Sequence, residues 1–328
     1  RNSGFLPSDV LSTDYTTFKV GRPVLLANVD AYSGICMGYS LLWEGGVYSV
    51  RELLLNTLED KVVWCRKFGI EIMENQWPCA GELPGFFVTD RGSEYISYNF
   101  EQITELGCQV LSLSSFSANM KGPVEKLFDL VQDSYKPYLK GKGVIEPDFQ
   151  KRGAMDYRKE ACLTMEQFEK IIIRCILYHN SQRVVDNFPY TEDMIKQQIT
   201  PVPTALWKYG KTLPGANLIP CTKEKLVLTL LPRTEGRFSR KGLIANGLRY
   251  SADGFTEEFL GGGEVQVAYN PDDVSYIYLI RDNYSRFQLI ESRYGGKTLE
   301  QVQSLKDKQN SLVKECQEKN LQARIDSE

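Results

Sequence analysis

Between Leu11 and Leu42 apolar and polar positions alternate in three short runs, LSTDYTTFKV, PVLLANVD and ICMGYSLL, parted by Gly21-Arg22-Pro23 and by the Ala31–Gly34 turn. A period of two with such tight connections predicts an antiparallel meander of three strands. From Val47 to Phe68 the apolar period lengthens to that of a helix and no breaker interrupts it, so the spacing predicts one helix. The short run Gly85–Asp90 reads as a buried strand, Tyr98–Gly107 as the helix after it, and Val110–Leu113 as a further strand. Pro123 suits a first helical turn, since its fixed φ is preorganised and its missing N–H would be unpaired there in any case. Val124, Leu127, Phe128 and Val131 then form an apolar stripe, with Glu125, Asp129 and Asp133 on another face, which predicts a helix over Pro123–Tyr135.

The next stretch, Lys140–Lys159, is charged and Gly-containing and reads as a linker. Thr164 and Gln167 have the spacing of a capping box that opens an apolar-striped helix from Met165 to about Asn180. Pro201, Pro203, Pro214 and Pro220 break the pattern and predict a domain boundary. Beyond them LVLTLLP, GLIANGLRYSA, EVQVAY and SYIYLIRD read as strands of a small all-β barrel. From Leu299 to Glu328 there is no Gly or Pro, and a thin apolar stripe predicts a C-terminal helix that docks on a partner rather than on its own fold. Antiparallel strands first, then alternating helices and strands, give a mixed α/β core. The expected organisation is a core over residues 1–150 with a helical continuation over 151–200, a barrel over 201–295 and a helix over 296–328.

Composition narrows the chemistry. The chain has 328 residues, 42% of them hydrophobic, enough to bury a real core. The sequence opens at Arg1 with no charged, apolar leader, and it holds no run of roughly eighteen apolar residues, so a soluble, non-secreted piece of a longer cytoplasmic protein is expected. Eight cysteines are spaced singly without a CxxC pair, which argues against a zinc knuckle or a disulfide framework and for reduced, half-buried thiols. His179 is the only histidine, so a His-rich metal site is excluded and the chemistry must run on carboxylates. A net charge of -3 does not suggest a nucleic-acid binder. Yet between Pro201 and Phe255 nine Lys or Arg stand against three acids, a locally basic stretch that includes Arg233, Arg237, Arg240 and Lys241.

An acid at the end of a strand and another on a helix is the arrangement by which hard divalent cations, which prefer oxygen ligands, are held in pairs about 3.5–4 Å apart for in-line displacement at phosphorus. Asp14 in the first run, Asp90 after Phe86-Phe87-Val88, and Glu125 after Lys121-Gly122-Pro123 are the candidates, the last two thirty-five residues apart. Several segments carry a closer resemblance: VGRPVLLANVDAYSGICMGYSL, QWPC at Gln76–Cys79, TDRGSE at Thr89–Glu94, KGPVEKLF at Lys121–Phe128, MDYRKEACLT at Met155–Thr164 and PVPTALWKYG at Pro201–Gly210. In order and spacing they resemble the TnsB-type transposases of the Mu and Tn-seven-like group, within the retroviral integrase superfamily.

The resemblance implies an α/β ribonuclease-H-like (integrase) catalytic core followed by a small β-barrel, and a DNA transposase that cleaves 3′ ends of a mobile element and joins them to target DNA. Asp90 and Glu125 match the family's second and third catalytic acids, and Asp14 in Asp14-Tyr15-Thr16 the first. The loop before Gly-Arg-Pro is shorter here than in the family, which leaves Asp9, Asp30 or an acid preceding Arg1 as alternatives; Asp30 in its turn reads first as a turn-capping acid. All three acids would hold two Mg²⁺ ions, which Mn²⁺ can replace. Arg91, Lys121 and Lys126 flank them and are placed to neutralise DNA phosphates, with the barrel cations Arg233, Arg237, Arg240 and Lys241 along the duplex. Implied partners are transposon-end and target DNA, further copies of the chain on paired ends, an ATPase regulator and a partner nuclease, in a bacterial, nucleoid-associated setting without a membrane. A non-catalytic DNA-binding or architectural protein, and a nuclease that cuts without joining, are the alternatives. Trp77 and Trp207 are expected in the core in preference to stacking on bases.

Overall fold

The computed structural model describes residues 6–7, 19–21, 23–43, 47–89, 101–112, 118–139, 142, 162–281 and 284–325. The chain divides into two compact units, residues 1–230 and 231–328.

In the first unit, strands β1 (Leu6–Pro7) and β2 (Lys19–Gly21) pair with each other, and β3 (Val24–Val29) forms an antiparallel hairpin with β4 (Cys36–Leu42). The expected first run of the meander, apart from Lys19 and Val20, lies outside the described residues. Every residue of β4 from Cys36 to Leu41 is buried, so both of its faces are covered. On one face lies helix α1 (Val47–Leu58), so close that a Cβ on Gly38 would stand 2.5 Å from the Thr57 hydroxyl. On the other face β4 packs against the Met165–Ser181 helix, whose Ile172, Ile173 and Ile176 are fully buried. Asn180 of that helix works as a strand surrogate: its amide oxygen accepts from the Cys36 N–H at 2.9 Å and its amide nitrogen donates to the Cys36 carbonyl at 3.1 Å.

The expected single helix over Val47–Phe68 is two, α1 and α2 (Lys61–Lys67). Asp60 ends the run by capping α2, its carboxylate accepting from the Val63 N–H at 2.9 Å. Lys61, 2% exposed, turns its ammonium back onto the carbonyls of Asn56, Thr57 and Glu59 at 2.5, 3.2 and 2.9 Å, satisfying the orphan C-terminal acceptors of α1. Apolar periodicity continues through this corner, which is why it conceals the break.

Strands β5 (Glu82–Pro84), β6 (Phe86–Thr89) and β7 (Gln109–Ser112) follow, β6 and β7 parallel and in register from Phe86↔Gln109 to Thr89↔Ser112. The described part of the Tyr98–Gly107 segment is a 3₁₀ helix, Gln102–Leu106, stopped by Gly107 in the left-handed region. Helix α3 runs over Ala118–Leu139, beginning five residues before the position that Pro123 suggested, with Pro123 and Pro137 inside it. Its Leu127, Val131, Tyr135 and Leu139 are buried at four-residue spacing, and Tyr135 meets Phe168 edge-on at 5.5 Å. The Met165–Ser181 helix, α4, starts with the expected capping box between Thr164 and Gln167.

After the short helix α5 (Glu192–Lys196), Pro203 opens α6 (Pro203–Gly210), and β8 (Leu218–Pro220) pairs antiparallel with β5. The proline-rich stretch thus lies within the first unit, and the chain divides after Leu230 rather than near residue 201. The expected strand LVLTLLP is a correction too: its first five residues end helix α7 (Lys223–Leu230), started by Thr222, whose hydroxyl accepts from the Lys225 N–H at 3.2 Å and whose carbonyl accepts from the Leu226 N–H at 3.0 Å. Leu226 and Leu230 bury against Val50, Leu54 and Leu58 of α1, so tertiary packing overrides the β-like composition.

The second unit is a closed six-stranded antiparallel barrel of β9 (Arg233–Ser239), β10 (Gly242–Ala245), β11 (Leu248–Ser251), β12 (Gly263–Asn270), β13 (Asp273–Ile280) and β14 (Tyr284–Leu289), in the order β10-β11-β14-β13-β12-β9. A short helix, α8 (Thr256–Gly261), joins β11 to β12. Asn246 and Gly247, with φ of 49° and 68°, make the tight β10–β11 turn. That is an Asn-Gly hairpin signal inside the segment read above as one strand. Phe238, Phe255, Phe259 and Phe287 form an aromatic cluster in the barrel. The last helix, α9 (Leu299–Ile325), begins by burying Val302, 1% exposed, in the barrel core with Leu299 packed beside it. Its first turn therefore docks on its own fold, which corrects the expectation that the whole helix serves a partner, while Leu305, Leu312 and Val313 farther along are exposed.

Candidate active site

Glu125 and Lys126 are exposed on α3, and the next residue, Leu127, is buried, so the helix turns its acid outward while its stripe anchors it on α4. Among the described residues Glu125 has no hydrogen bond or ion pair. Lys121 lies in the same helix, one turn earlier. Strand β6 ends at Thr89; Asp90 and Arg91 follow it immediately and, with Asp9 and Asp14, lie outside the described residues.

A cavity of about 530 Å³ lies beside these elements, and its wall includes Asn28 and Val29 of β3, Phe87 and Val88 of β6, and Pro123 and Val124 of α3. Val88 is two residues from Asp90 in sequence and Val124 is one from Glu125, so the strand that precedes Asp90 and the helix that carries Glu125 border one space. Asp30 lines the same cavity and also holds its own turn. Its carboxylate accepts from the Ser33 N–H at 2.7 Å and from the Ser33 hydroxyl at 2.6 Å, which pins the β3–β4 turn as a turn-capping acid would. No group of three His, Cys, Asp or Glu stands together among the described residues. The donor set itself suits Mg²⁺, since all three candidates are carboxylates and hard cations take oxygen ligands.

The single histidine is structural. His179 Nε2 donates to the Gly34 carbonyl at 2.8 Å, and its Nδ1 faces Arg183 at 3.4 Å, so it ties α4 to the β3–β4 turn. Burial lowers its pKa most, the Gly34 carbonyl opposes this, and Arg183 and Lys126 lower it further. A histidine whose folded pKa lies below its unfolded one refuses a proton that the unfolded chain accepts; its contribution to stability is complete above about pH 6.5 and is lost as pH falls through that value. His179→Gln keeps a donor for Gly34 and removes the titration. Urea unfolding of the first unit, followed by tryptophan fluorescence at pH 7.5 and 5.5, should show a smaller acid loss in His179→Gln than in the wild type; equal losses would show that the imidazole takes up its proton equally well folded and unfolded.

Trp77 and Trp207 are core residues, 1% and 5% exposed, and Trp77 Nε1 donates to the Cys36 carbonyl at 2.7 Å, so neither presents a face for stacking on bases. Cys36, Cys65, Cys79, Cys108 and Cys221 are buried free thiols, and burial pushes Cys36 up to about 12 and Cys65 to about 11. These thiols do not ionise near neutrality, in keeping with packing rather than nucleophilic roles.

In the barrel, Arg237, Arg240 and Lys241 are exposed and Arg233 is half-buried. Arg233 and Arg237 share the outward face of β9 with Glu235, while Gly236 and Phe238 are buried; Arg240 and Lys241 form the β9–β10 turn. Sequence reasoning found these cations by local density alone. The Asn246-Gly247 turn was the signal at hand for the geometry around them, since it sets the β10–β11 register.

Comparison with known proteins fits this division. Residues 6–141 match the family model of the TnsB C-terminal domain, a span that holds Asp14, Asp90 and Glu125, and residues 227–287 match the Mu transposase C-terminal family. The chain is 30% identical over 278 residues to the transposon Tn7 transposition protein TnsB of Escherichia coli, covering 81% of this chain and 39% of that protein. It is 22% identical over 290 residues to the transposase for transposon Tn552 of Staphylococcus aureus, covering 85% of this chain and 53% of that one. Among solved structures, a chain of the simian T-cell lymphotropic virus intasome in complex with PP2A regulatory subunit B56 gamma is 12% identical, with 88% of this chain and 78% of that chain covered and a TM-score of 0.34. This chain thus spans about two fifths and about half of the lengths of the two curated relatives. No helix among the described residues is long and apolar enough to cross a membrane.

Proposed function

We propose, from the premise that this chain belongs to the TnsB-type transposases and carries a Mu transposase C-terminal region, that it is the catalytic part of a DNA transposase that cleaves the 3′ ends of a mobile element and joins them to target DNA. The observation that carries the reading is the shared cavity: the strand leading to Asp90 and the helix bearing Glu125 both line it.

Asp14, Asp90 and Glu125 are assigned as the ligands of two Mg²⁺ ions, which Mn²⁺ can replace. Bound there, such ions supply charge stabilisation for the attacking and leaving oxygens of an in-line displacement. The protein's own work is positional. Leu127 and Val131 seat α3 so that Glu125 faces outward, and the β6–β7 pairing fixes the strand end from which Asp90 follows. Lys126, Lys121 and Arg91 stand beside the acids in sequence and neutralise phosphates flanking the scissile bond. With His179 consumed by the Gly34 turn, no imidazole is left to act as a base. Cleavage and joining are both displacements at phosphorus without a covalent enzyme intermediate, so one site serves both. The partners that go with this reading are transposon-end and target DNA, other copies of the chain on paired ends, an ATPase regulator and a nuclease for the other strand.

The test is strand transfer of pre-cleaved end DNA into a target plasmid in Mg²⁺. Joined product is expected; cleavage without joining would make the chain a nuclease, and binding alone an architectural protein.

The basic stretch is assigned to the end duplex. Replacing Arg233, Arg237, Arg240 and Lys241 together by Ala should weaken DNA binding and flatten its dependence on salt by a log–log slope of about 0.9 for each phosphate that is no longer neutralised. An unchanged slope would place all four in solvent.

A further inference from the structure

The one imidazole of the chain holds a cation as well as a turn. His179 stands in the last turn of α4, and its Nε2 donates to the Gly34 carbonyl at 2.8 Å. Gly34 belongs to the β3–β4 turn that Asp30 pins through Ser33, so the ring has a fixed footing. With the proton on Nε2, Nδ1 carries a lone pair and turns it toward Arg183 Nη1, 3.4 Å away. A cation at a helix C-terminus complements the helix dipole, but the Tyr178 carbonyl there is already taken by the Gln182 and Arg183 N–H groups at 2.9 and 3.1 Å. The guanidinium is left over. It is half-buried and has no ion pair among the described residues, so the His179 contact occupies one N–H donor of a group that has five.

The packing of α3 on α4 indicates which anion it suits. Tyr135 of α3 meets Phe168 near the start of α4 at 5.5 Å, while the charge of Lys126 acts on His179 near the end of α4. The two helices therefore run antiparallel, which sets the Glu125 end of α3 beside the last turn of α4. Arg183 follows that turn directly. A DNA strand that brings its reacting phosphate to Glu125 carries further phosphates on either side, and a planar guanidinium matches a phosphate through two parallel N–H donors. Lys126 offers only a mobile point charge on the exposed face of α3, whereas Arg183 is half-buried and held from behind by the imidazole.

We propose that Arg183, oriented by the Nδ1 lone pair of His179, binds a backbone phosphate flanking the one that reacts. The inference rests on the transposase reading and adds to it a substrate-contacting residue with a positioning residue behind it. The full chain is tested for joining of pre-cleaved end DNA to a target in a single turnover, with the phosphates around the joint replaced one at a time by an uncharged methylphosphonate. In Arg183→Gln, joining of unmodified DNA should fall about tenfold, as for loss of a hydrogen bond to a charged group. At one position the wild type should lose as much, and there Arg183→Gln should lose nothing more, because residue and phosphate are two ends of one contact. Lys126→Gln should still show its full loss at that position. His179→Gln, whose amide is spent on Gly34, should be impaired on unmodified DNA and equal the wild type at the same modified phosphate; a loss that persists there overturns the positioning role. Arg183→Lys keeps the charge without the planar fork and serves if the glutamine variant does not fold, since its loss must vanish at that phosphate too. Full joining by Arg183→Gln, or losses that multiply with the modification at every position, overturn the proposal. A wild-type chain that joins no DNA would instead overturn the transposase reading beneath it.

Discussion

Asp90→Ala and Glu125→Ala each reduce 3′-end cleavage and strand transfer in Mg²⁺ to under about one per cent of the wild type, a loss of about 3 kcal/mol or more in transition-state stabilisation, while duplex binding is nearly retained. The separation of the two readouts follows from where the residues stand. Glu125 projects from an exposed helix surface whose hold on the fold is made by Leu127, Val131 and Tyr135 on the opposite side, so removing its carboxylate leaves packing untouched. Asp14→Ala should behave like the other two. Asp30→Ala, by contrast, removes two hydrogen bonds from the β3–β4 turn and should cost stability while sparing chemistry. Full activity in Asp14→Ala together with loss of activity in Asp30→Ala at intact fold would reassign the first acid to Asp30. More than a few per cent of activity in Asp90→Ala or Glu125→Ala would remove the carboxylate site altogether.

The second large effect is expected in the barrel. Val302→Asp places a carboxylate at a position that is 1% exposed among Leu299 and the barrel core, and should destabilise the second unit by about 3 kcal/mol or more, since the charge has no partner there. Truncation after Thr298 should act in the same direction, because it removes Leu299 and Val302 together. Truncation after Asn310 should change stability by less than about 0.5 kcal/mol, as residues 311–320 are exposed. All four tryptophans, Trp43, Trp64, Trp77 and Trp207, belong to the first unit, so fluorescence does not follow the barrel. Hydrogen exchange of the barrel amides does. If Val302→Asp leaves that exchange unchanged, the first turn of the helix is not part of the barrel core.

These cases show which parts of the fold the sequence makes legible. Local chemistry was sufficient for α4, whose Thr164–Gln167 box is formed as its spacing predicts, and for the Asp30 turn. It was insufficient wherever a distant partner decides. The corner at Asp60–Lys61 is invisible to periodicity because Lys61 counts as polar until its ammonium is seen capping α1. LVLTLLP looks like a strand until Leu226 and Leu230 meet α1. The prolines after residue 201 signalled a boundary, whereas β8 returns to pair with β5 across more than a hundred residues and keeps that stretch in the first unit. For the candidate site, Glu125 and its helix were legible from a family-like spacing and an apolar stripe. The cavity that its helix lines together with β6 depends on packing that no spacing encodes.

The pairing of Asn180 with Cys36 spans 144 residues, and His179 reaches Gly34 over 145. The cost in chain entropy of closing so long a loop grows only slowly with its length, but the pairing forms late, because nothing local rewards it. During synthesis from the N-terminus, the β3–β4 hairpin emerges long before the helix that completes its edge and one of its faces. For that interval β4 is a buried strand without its cover. The order of translation therefore exposes a strand that the finished fold buries from Cys36 to Leu41, making it a segment open to mispairing with another nascent chain.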